Sequence, residues 1–128
     1  MYLTLVILAV RDLPQAVRFY RDALGCPQTV DVPVYVEFEL PGGQRLGLYE
    51  RRAFGLNTGQ VPEETPKGAL TGTELYFYPD DVLAAIFRLE WAGARKLSAL
   101  AERGWGDEAA YFADPDGNVL VVARRLQG

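Results

Sequence analysis

Residues 3–25 of the chain read LTLVILAVRDLPQAVRFYRDALG, and this stretch decides the fold. Its first part, residues 3–10, is mostly aliphatic and β-branched, which predicts a strand covered on both faces. Asp12 then provides the N-cap of a helix, and Pro14 is tolerated in the first turn. Apolar residues follow at helical spacing until Gly25, which stops the helix. The stretch therefore predicts a strand followed by an amphipathic helix.

Three more strand-like segments complete a first structural unit. They lie at about residues 28–34, 35–40 and 45–50, and a Pro-Gly-Gly turn at residues 41–43 joins the last two. Residues 51–70 are polar, rich in Gly, Pro and Thr, and without clear periodicity. They predict a linker.

The same order of elements begins again with TELYFYPDDVLAAIFRLEWAG at residues 73–93. Asp81 takes the place of Asp12 as the helix cap. An apolar stripe follows at helical spacing, formed by Val82, Ala85, Ile86 and Leu89. Strands at about residues 96–100, 109–113 and 118–124 complete this second unit. The order of a strand, a helix and three strands thus occurs twice. This order is stronger evidence for an internal repeat than the residue similarity alone.

The repeat predicts an α+β fold of two tandem βαβββ modules. Module one spans about residues 1–50, the linker 51–70 and module two about 71–125, all in one domain. The mixed sheets are expected to curl around a cleft, with the helices on the outside. Such a cleft between repeated units is where a ligand usually binds.

The composition excludes several classes of function. The 128 residues include no histidine and one cysteine, and the formal net charge of the chain is −4. Without histidine there is no serine-histidine triad, no histidine base and no metal site that depends on imidazole. An acidic chain lacks the basic face that nucleic acid requires. The apolar stretch near the start is too short for a membrane span or a signal peptide. We expect a soluble, cytoplasmic protein with no nucleic-acid or membrane partner.

Several motifs carry a family resemblance. AVRDL at residues 9–13, with FYRDALG at 19–25, resembles the opening signature of the vicinal oxygen chelate proteins, the glyoxalase/bleomycin resistance protein/dioxygenase family. YFADPDGN at residues 111–118 is similar to the closing hairpin of that family, and residues 80–93 are similar to its second-module helix. The DPDG tetrapeptide within this segment also has a structural explanation as a hairpin turn. The resemblance covers nearly the whole chain and implies the fold of that family.

The resemblance also allows the metal site of the family to be tested position by position. Metal-dependent members take ligands from the first and last strand of each module, usually His or Gln, and Glu. The corresponding positions here are Leu5, Glu50, Glu74 and Val121. Two of them are aliphatic, and two carboxylates could hold a hard cation only weakly. We therefore expect no metal and no other cofactor.

Strand alternation indicates which side chains face the cleft. Glu74, Tyr76 and Tyr78 share one face, and Leu46, Leu48 and Glu50 share another. Trp105 lies in a loop that could overhang the cleft, plug the core or contact a second chain, whereas Trp91 is interpreted as a packing residue. The candidate ligand-binding residues are Leu5, Leu48, Glu50, Glu74, Tyr76, Tyr78, Trp105, Tyr111 and Val121.

The cleft carboxylates have three possible states. They could be protonated, paired with an arginine such as Arg45 or Arg124, or open to a cationic ligand. Glu37 and Glu39 alternate with apolar residues, which is the pattern of the solvent face of an edge strand.

Two functions compete on these residues. The first is a metal-independent small-molecule binding protein that resembles bleomycin-resistance proteins, which sequester a cationic or aromatic drug. The alternative is a lyase, isomerase or dioxygenase of the glyoxalase-like family, with Glu50 and Glu74 as an acid/base pair or weak metal ligands. A domain that binds a metabolite for regulation also fits. The resemblance further implies a homodimer, since the family often dimerises.

Overall fold

The computed structural model describes residues 1–127, over which the chain forms eight strands and three helices in two modules. The predicted α+β fold of two βαβββ modules is confirmed. The first module contains β1 (Leu5–Val10), α1 (Leu13–Leu24), β2 (Gln28–Val32), β3 (Tyr35–Glu39), β4 (Arg45–Glu50) and a further helix, α2 (Arg51–Thr58). The second contains β5 (Glu74–Phe77), α3 (Val82–Trp91), β6 (Arg95–Glu102), β7 (Asp107–Ala113) and β8 (Val119–Arg125).

Each module has a four-stranded mixed sheet of the same topology. The strand order is β1-β4-β3-β2 in sheet one and β5-β8-β7-β6 in sheet two. In both sheets the first strand of the module is parallel to the last, and the other neighbours are antiparallel. The two helices that follow the first strands begin alike, because Asp12 accepts from the amide of Gln15 at 3.0 Å and Asp81 from that of Ala84 at 3.1 Å. The internal repeat is therefore structural.

Sheet one has one aliphatic face and one polar face. Its aliphatic face is buried and carries Leu8, Val10, Val36, Phe38, Leu46 and Leu48. Helix α1 lies over it, since Leu13 and Val17 border the same surface depression as Val36. The polar face carries Tyr35, Glu37, Arg45, Gly47 and Tyr49.

Two interpretations from the sequence are wrong in the two modules. Strand β1 is not covered on both faces, because its Ile7 side chain, which lies on the polar face with Gly47, is exposed. A continuous aliphatic run does not distinguish a strand covered on one face from a strand covered on both. Trp91 is not a buried packing residue, since it is 69% exposed on α3. The apolar stripe of α3 that begins at Val82 and ends at Leu89 does face inward, as predicted.

The segment predicted to be an irregular linker contains helix α2 over its first eight residues. Glu50 caps this helix, and Gly59 ends it with a φ of 78°. The ring of Phe54 lies 6.1 Å from that of Tyr49 and packs the helix against β4. The helix was not predicted because the segment lacks a strong apolar stripe and contains Gly55, so its helix propensity is low. The chain divides into its two compact units between Glu64 and Thr65, apart from a short piece of α1 that belongs with the second unit.

The closing hairpin of module two is held by Asp114, as a structural turn. Its carboxylate accepts hydrogen bonds from the amides of Asp116 and Asn118 at 2.9 and 2.8 Å and from the Asn118 side chain at 2.9 Å. Gly117 adopts a φ of 90°, which other residues rarely adopt. None of the helices in residues 1–127 is long and apolar enough to cross a bilayer.

Candidate functional site

The polar face of sheet two is organised by a buried carboxylate. Asp107 begins β7 and is only 3% exposed. The hydroxyls of Tyr76 and Tyr78 both donate to its Oδ2 atom, at 2.5 and 2.7 Å. These hydrogen bonds, that of Tyr76 first, lower the pKa of Asp107 below its ordinary value, because they stabilise the ionised form. Asp107 is therefore a buried anion held by two phenols.

A third aromatic residue extends the same network. The indole Nε1 of Trp105 donates to the Tyr76 hydroxyl at 2.9 Å, so that donation runs from Trp105 through Tyr76 to Asp107. The rings of Tyr76 and Tyr78 meet edge to face, with centroids 5.7 Å apart. Burial, followed by the bond to Asp107, raises the pKa of Tyr76, so its hydroxyl keeps its proton at neutral pH.

The three rings remain accessible although their polar atoms are engaged. Tyr76, Tyr78 and Trp105 are 37%, 52% and 58% exposed. We refer to these three residues as the aromatic triad. Their polar atoms are held by hydrogen bonds, while their rings remain exposed to solvent. This arrangement suits a ligand that stacks on the rings.

Two arginines lie over tyrosine rings on this face of sheet two. The guanidinium of Arg125 lies 5.3 Å from the ring centroid of Tyr78, and that of Arg103 lies 4.9 Å from the centroid of Tyr111. Arg103 is fixed in place, since its Nη2 donates to Ser98 Oγ and to the carbonyl of Ala109, both at 2.8 Å. The tyrosines of this face therefore already bind cations from their own chain.

The floor beneath the polar groups of sheet two is aliphatic. It is a buried cluster of Ala109, Val119, Val121 and Ala123, against which Leu97 and Tyr111 pack. Glu74 lies on β5 and is exposed, and its negative charge adds to desolvation in raising the pKa of Tyr111. This face of sheet two thus combines an aliphatic floor, exposed rings, two carboxylates and two arginines.

Sheet one also has a buried carboxylate, but its surroundings differ. Glu37 is 3% exposed and accepts from the hydroxyl of Tyr35 at 2.7 Å and from Arg45 Nη1 at 2.9 Å. Thr29 Oγ1 adds a longer contact of 3.4 Å. The prediction that Glu37 lies on the solvent face of an edge strand is wrong, because β3 lies between β2 and β4. Burial, and then the bond to Glu37, strongly raises the pKa of Tyr35.

Glu50 has a structural task. Its carboxylate accepts from the amides of Arg52 and Ala53, at 2.8 and 3.1 Å, and so caps α2. The bond from Arg52 is the main reason why the pKa of Glu50 lies below its usual value. The two arginines considered as partners for the cleft acids bind elsewhere: Arg45 pairs with Glu37, and Arg124 pairs with Glu108 at 2.8 Å.

The strand register corrects the assignment of the family metal positions. In sheet two Tyr76 pairs with Val121, and in sheet one the corresponding residue Ile7 pairs with Gly47. The counterpart of Val121 is therefore Gly47. Glu50 pairs with Val10, whose side chain points to the aliphatic face. The strand register determines which face of the sheet each side chain occupies, and it could not be read from the sequence alone. It therefore decides which residues of the two modules correspond.

The residues at these positions do not fit a transition metal. Sheet one offers no donor side chain at these positions, because Leu5 is aliphatic and Gly47 has no side chain. Sheet two offers only the Glu74 carboxylate, because Val121 is aliphatic. Within the part of the chain that the structure describes, no three His, Cys, Asp or Glu side chains come together.

The structure brings six of the nine predicted ligand-binding residues together on the polar side of sheet two: Glu74, Tyr76, Tyr78, Trp105, Tyr111 and Val121. Of these, Val121 is fully buried in the floor. Leu5, Leu48 and Glu50 belong to module one, where Leu48 is fully buried on the aliphatic face. The sequence reasoning missed Asp107, Arg103 and Arg125. The only signal for Asp107 was its place in the Gly-Trp-Gly-Asp loop beside Trp105.

A family model for the glyoxalase-like domain matches residues 3–127, almost the whole chain. The chain belongs to the glyoxalase-like family. Its membership of the vicinal oxygen chelate superfamily, expected from the sequence motifs, is confirmed. No curated protein matches the chain in sequence.

Solved structures of similar fold include three from bacteria. A glyoxalase/bleomycin resistance protein/dioxygenase from Nocardioides is 24% identical, with a TM-score of 0.82, over 100% of this chain and 85% of that one. A family enzyme from Burkholderia phytofirmans PsJN is 23% identical, with a TM-score of 0.82, over 98% and 100%. A glyoxalase-related enzyme from Fulvimarina pelagi is 20% identical, with a TM-score of 0.82, over 96% and 87%. At these identities the similarity shows the shared fold alone.

Proposed function

We propose that this member of the glyoxalase-like family is a metal-independent binding protein for a planar, cationic aromatic small molecule. The ligand lies against the aromatic triad, and the protein acts by sequestration, as the resemblance to bleomycin-resistance proteins implies. The observation that carries the proposal is the anchoring of three exposed rings on the buried carboxylate of Asp107.

The two carboxylates of the site attract a cation, and Arg125 competes with it at Tyr78. Asp107 is buried beneath the rings and keeps its negative charge at neutral pH, since its pKa is lowered. Among the described residues no ion pair is formed with it; Arg125 acts only through longer-range attraction. The exposed carboxylate of Glu74 adds further negative charge on the same sheet. Cation–π attraction to the rings contributes in the same direction, on the order of 0.5–2 kcal/mol.

The rigidity of the site favours a flat ligand. The hydroxyls of Tyr76 and Tyr78 and the indole nitrogen of Trp105 are fixed by hydrogen bonds, so the rings lose little freedom when a ligand stacks on them. Arg125 already occupies one side of Tyr78 as an internal cation. A ligand cation would replace it there or lie on the other rings.

Tryptophan fluorescence tests the proposal. In a Trp91→Phe background, Trp105 is the only reporter, and titration with 9-aminoacridine should quench it saturably. Uncharged anthracene-like analogues should bind more weakly, and planar sulfonates should not bind. Asp107→Asn and Trp105→Phe, the latter followed by fluorescence of the ligand, should each weaken binding about tenfold, which corresponds to the loss of one charge-assisted or stacking contact.

A matched control separates the site from general hydrophobicity. Tyr2→Phe changes an exposed tyrosine that precedes β1 and should leave the affinity unchanged. Arg125→Gln should strengthen binding of the cation by several-fold, because it removes the internal competitor at Tyr78. Equal binding of cationic and anionic planar probes, or no effect of Asp107→Asn, contradicts the proposal.

The alternative enzymatic function has less support. It rested on Glu50 and Glu74 as an acid/base pair or as weak metal ligands, and the oxygens of Glu50 are engaged by the α2 amides. A general base must be free to reach a substrate proton.

A further inference from the structure

The aromatic triad presents ring surfaces to a ligand, while its polar atoms are engaged within the chain. The Tyr76 hydroxyl accepts from the Trp105 indole and donates to Asp107 Oδ2, and the Tyr78 hydroxyl donates to the same oxygen. Asp107 itself is only 3% exposed. A molecule that lies on these rings is therefore attracted by the carboxylate through space, but the two hydroxyls stand between it and the carboxylate oxygen.

We infer that the ligand, whose binding here rests on the proposed function, is an aromatic cation with an N-alkylated nitrogen that carries no hydrogen, such as an N-methylated heteroaromatic ring. The N–H group of a protonated amine would lose a hydrogen bond to water on these rings without gaining an acceptor. An N-methylated nitrogen has no such bond to lose, and the rings and Asp107 still attract its charge. The hydroxyls of Tyr76 and Tyr78 thus determine specificity, because they occupy the oxygen that an N–H group would need.

The angle between the two tyrosine rings suits such a cation. Tyr76 and Tyr78 meet at an interplanar angle of 80°, with ring centroids 5.7 Å apart, so they form the two sides of a corner. A flat heteroaromatic ring can stack on one side of the corner while its N-methyl group, which carries part of the positive charge, contacts the other. Aromatic cages bind methylated ammonium groups by the same attraction.

Arg125 shows that a delocalised cation already binds at this corner without contacting the acid. Its guanidinium lies 5.3 Å from the ring centroid of Tyr78, and among the described residues it forms no ion pair with Asp107. The Arg125 side chain is exposed, so its N–H groups stay hydrated while its charge acts on the ring. A ligand cation that displaces Arg125 would be held by the same forces.

The other carboxylate of this face, that of Glu74, does not reverse the selection. Its side chain is exposed, so its oxygens are already hydrated. A hydrogen bond from a ligand amine to Glu74 would replace one with water and would contribute little. The charge of Glu74 attracts N-methylated and protonated cations alike.

Two probes with the same ring system separate the two classes of cation. 10-Methylacridinium has no N–H group, whereas 9-aminoacridine is protonated at neutral pH and carries several. Fluorescence titration of the native chain should give a dissociation constant about fivefold lower for 10-methylacridinium, the equivalent of one hydrogen bond. Equal affinity, or tighter binding of 9-aminoacridine, overturns the inference and leaves the proposed function intact. If neither probe binds, both fail.

Tyr78→Phe tests the mechanism, because it keeps the ring and removes a hydroxyl that occupies the Asp107 oxygen. An N–H group can then reach that oxygen, so 9-aminoacridine should gain affinity relative to 10-methylacridinium and the preference should disappear. Tyr76→Phe removes the other hydroxyl and should act in the same direction. Tyr2→Phe is the control and should keep the preference of the native chain. A preference that persists in both hydroxyl variants, with circular dichroism like that of the native chain, overturns the inference.

Discussion

Each sheet contains a buried carboxylate, and the two carboxylates have different surroundings. Glu37 in sheet one and Asp107 in sheet two are equally buried, and both accept from tyrosine hydroxyls. In sheet one an arginine completes the shell, and Tyr35 lies so close over Gly47 that any larger residue would overlap its ring. In sheet two the tyrosines are exposed, and an arginine lies over the ring of Tyr78 instead of on the acid.

The difference separates an acid that is paired with an arginine from an acid that keeps its charge beneath exposed rings. Glu37 is neutralised within its own module, so it stabilises sheet one and leaves little charge for a ligand. Asp107 keeps its charge beneath accessible rings. Duplicated modules can therefore preserve the same topology while, under the proposed function, only the second offers a binding surface.

The largest expected effect comes from exchanging one residue for its counterpart in the other sheet. Gly47→Val places the side chain found at Val121 under the Tyr35 ring, where it cannot fit. We expect a loss of about 3 kcal/mol in the free energy of unfolding, the upper part of the range for overpacking. Chemical denaturation measures it. Gly104→Val is the control, since nothing lies within 4 Å of its Cβ position. A similar small effect for both variants would show that Tyr35 moves aside freely.

Removing the arginine near each buried acid should destabilise sheet one more than sheet two. Arg45→Met leaves Glu37 buried without its ion pair and should cost about 2 kcal/mol, the value for a hydrogen bond to a charged group. Arg125→Met breaks no ion pair with Asp107 and should cost less than about 1 kcal/mol. Thermal and denaturant unfolding of both variants give the comparison. Equal losses would mean that Arg125 supports Asp107 as directly as Arg45 supports Glu37.

The pH dependence of stability should show the Asp107 network. Its pKa in the folded protein lies below the ordinary value of 3.8, so its contribution is complete above that pH and is lost as the pH falls through the folded pKa. Asp107→Asn should remove one carboxylate's share of this acid loss and flatten the curve there. Denaturation at a series of pH values below neutrality measures it. An unchanged acid limb would show that Asp107 is not held as an ion by the tyrosines.

The smallest effects should separate the two glutamates that the sequence placed together. Glu50→Ala removes the α2 cap and should cost about 1 kcal/mol. Glu74→Gln changes an exposed side chain and should alter the free energy of unfolding by less than about 0.5 kcal/mol. It should also weaken the binding of a cationic probe. If Glu74→Gln were the more destabilising of the two, Glu74 would have a structural role that its exposure does not suggest.

The sequence predicted the modules well because their signals are local. The caps Asp12 and Asp81, the turn around Asp114 and the period of the apolar residues all act within a few positions. Strand alternation also placed Tyr76 and Glu74 on one face correctly. These features require no knowledge of which strands are neighbours.

The rest of the site depends on strand pairing and loop geometry. Asp107 lies 31 positions from Tyr76 in the chain, and no local pattern connects the two. The same limit produced the misplacement of Glu50, because an error in register of an odd number of residues exchanges the two faces of a strand. Glu37 reads as a surface residue until its arginine and tyrosine partners are known.

The confinement of the aromatic triad to module two has a consequence for stoichiometry. Within residues 1–127 the corresponding face of sheet one carries Gly47 beneath Tyr35 and an acid that is already neutralised. A titration should therefore reach saturation at one ligand per chain despite the twofold repeat. Under the proposed function, such a protein would remove its ligand in proportion to its own abundance, so that its capacity would be set by expression level and its selectivity by a single platform.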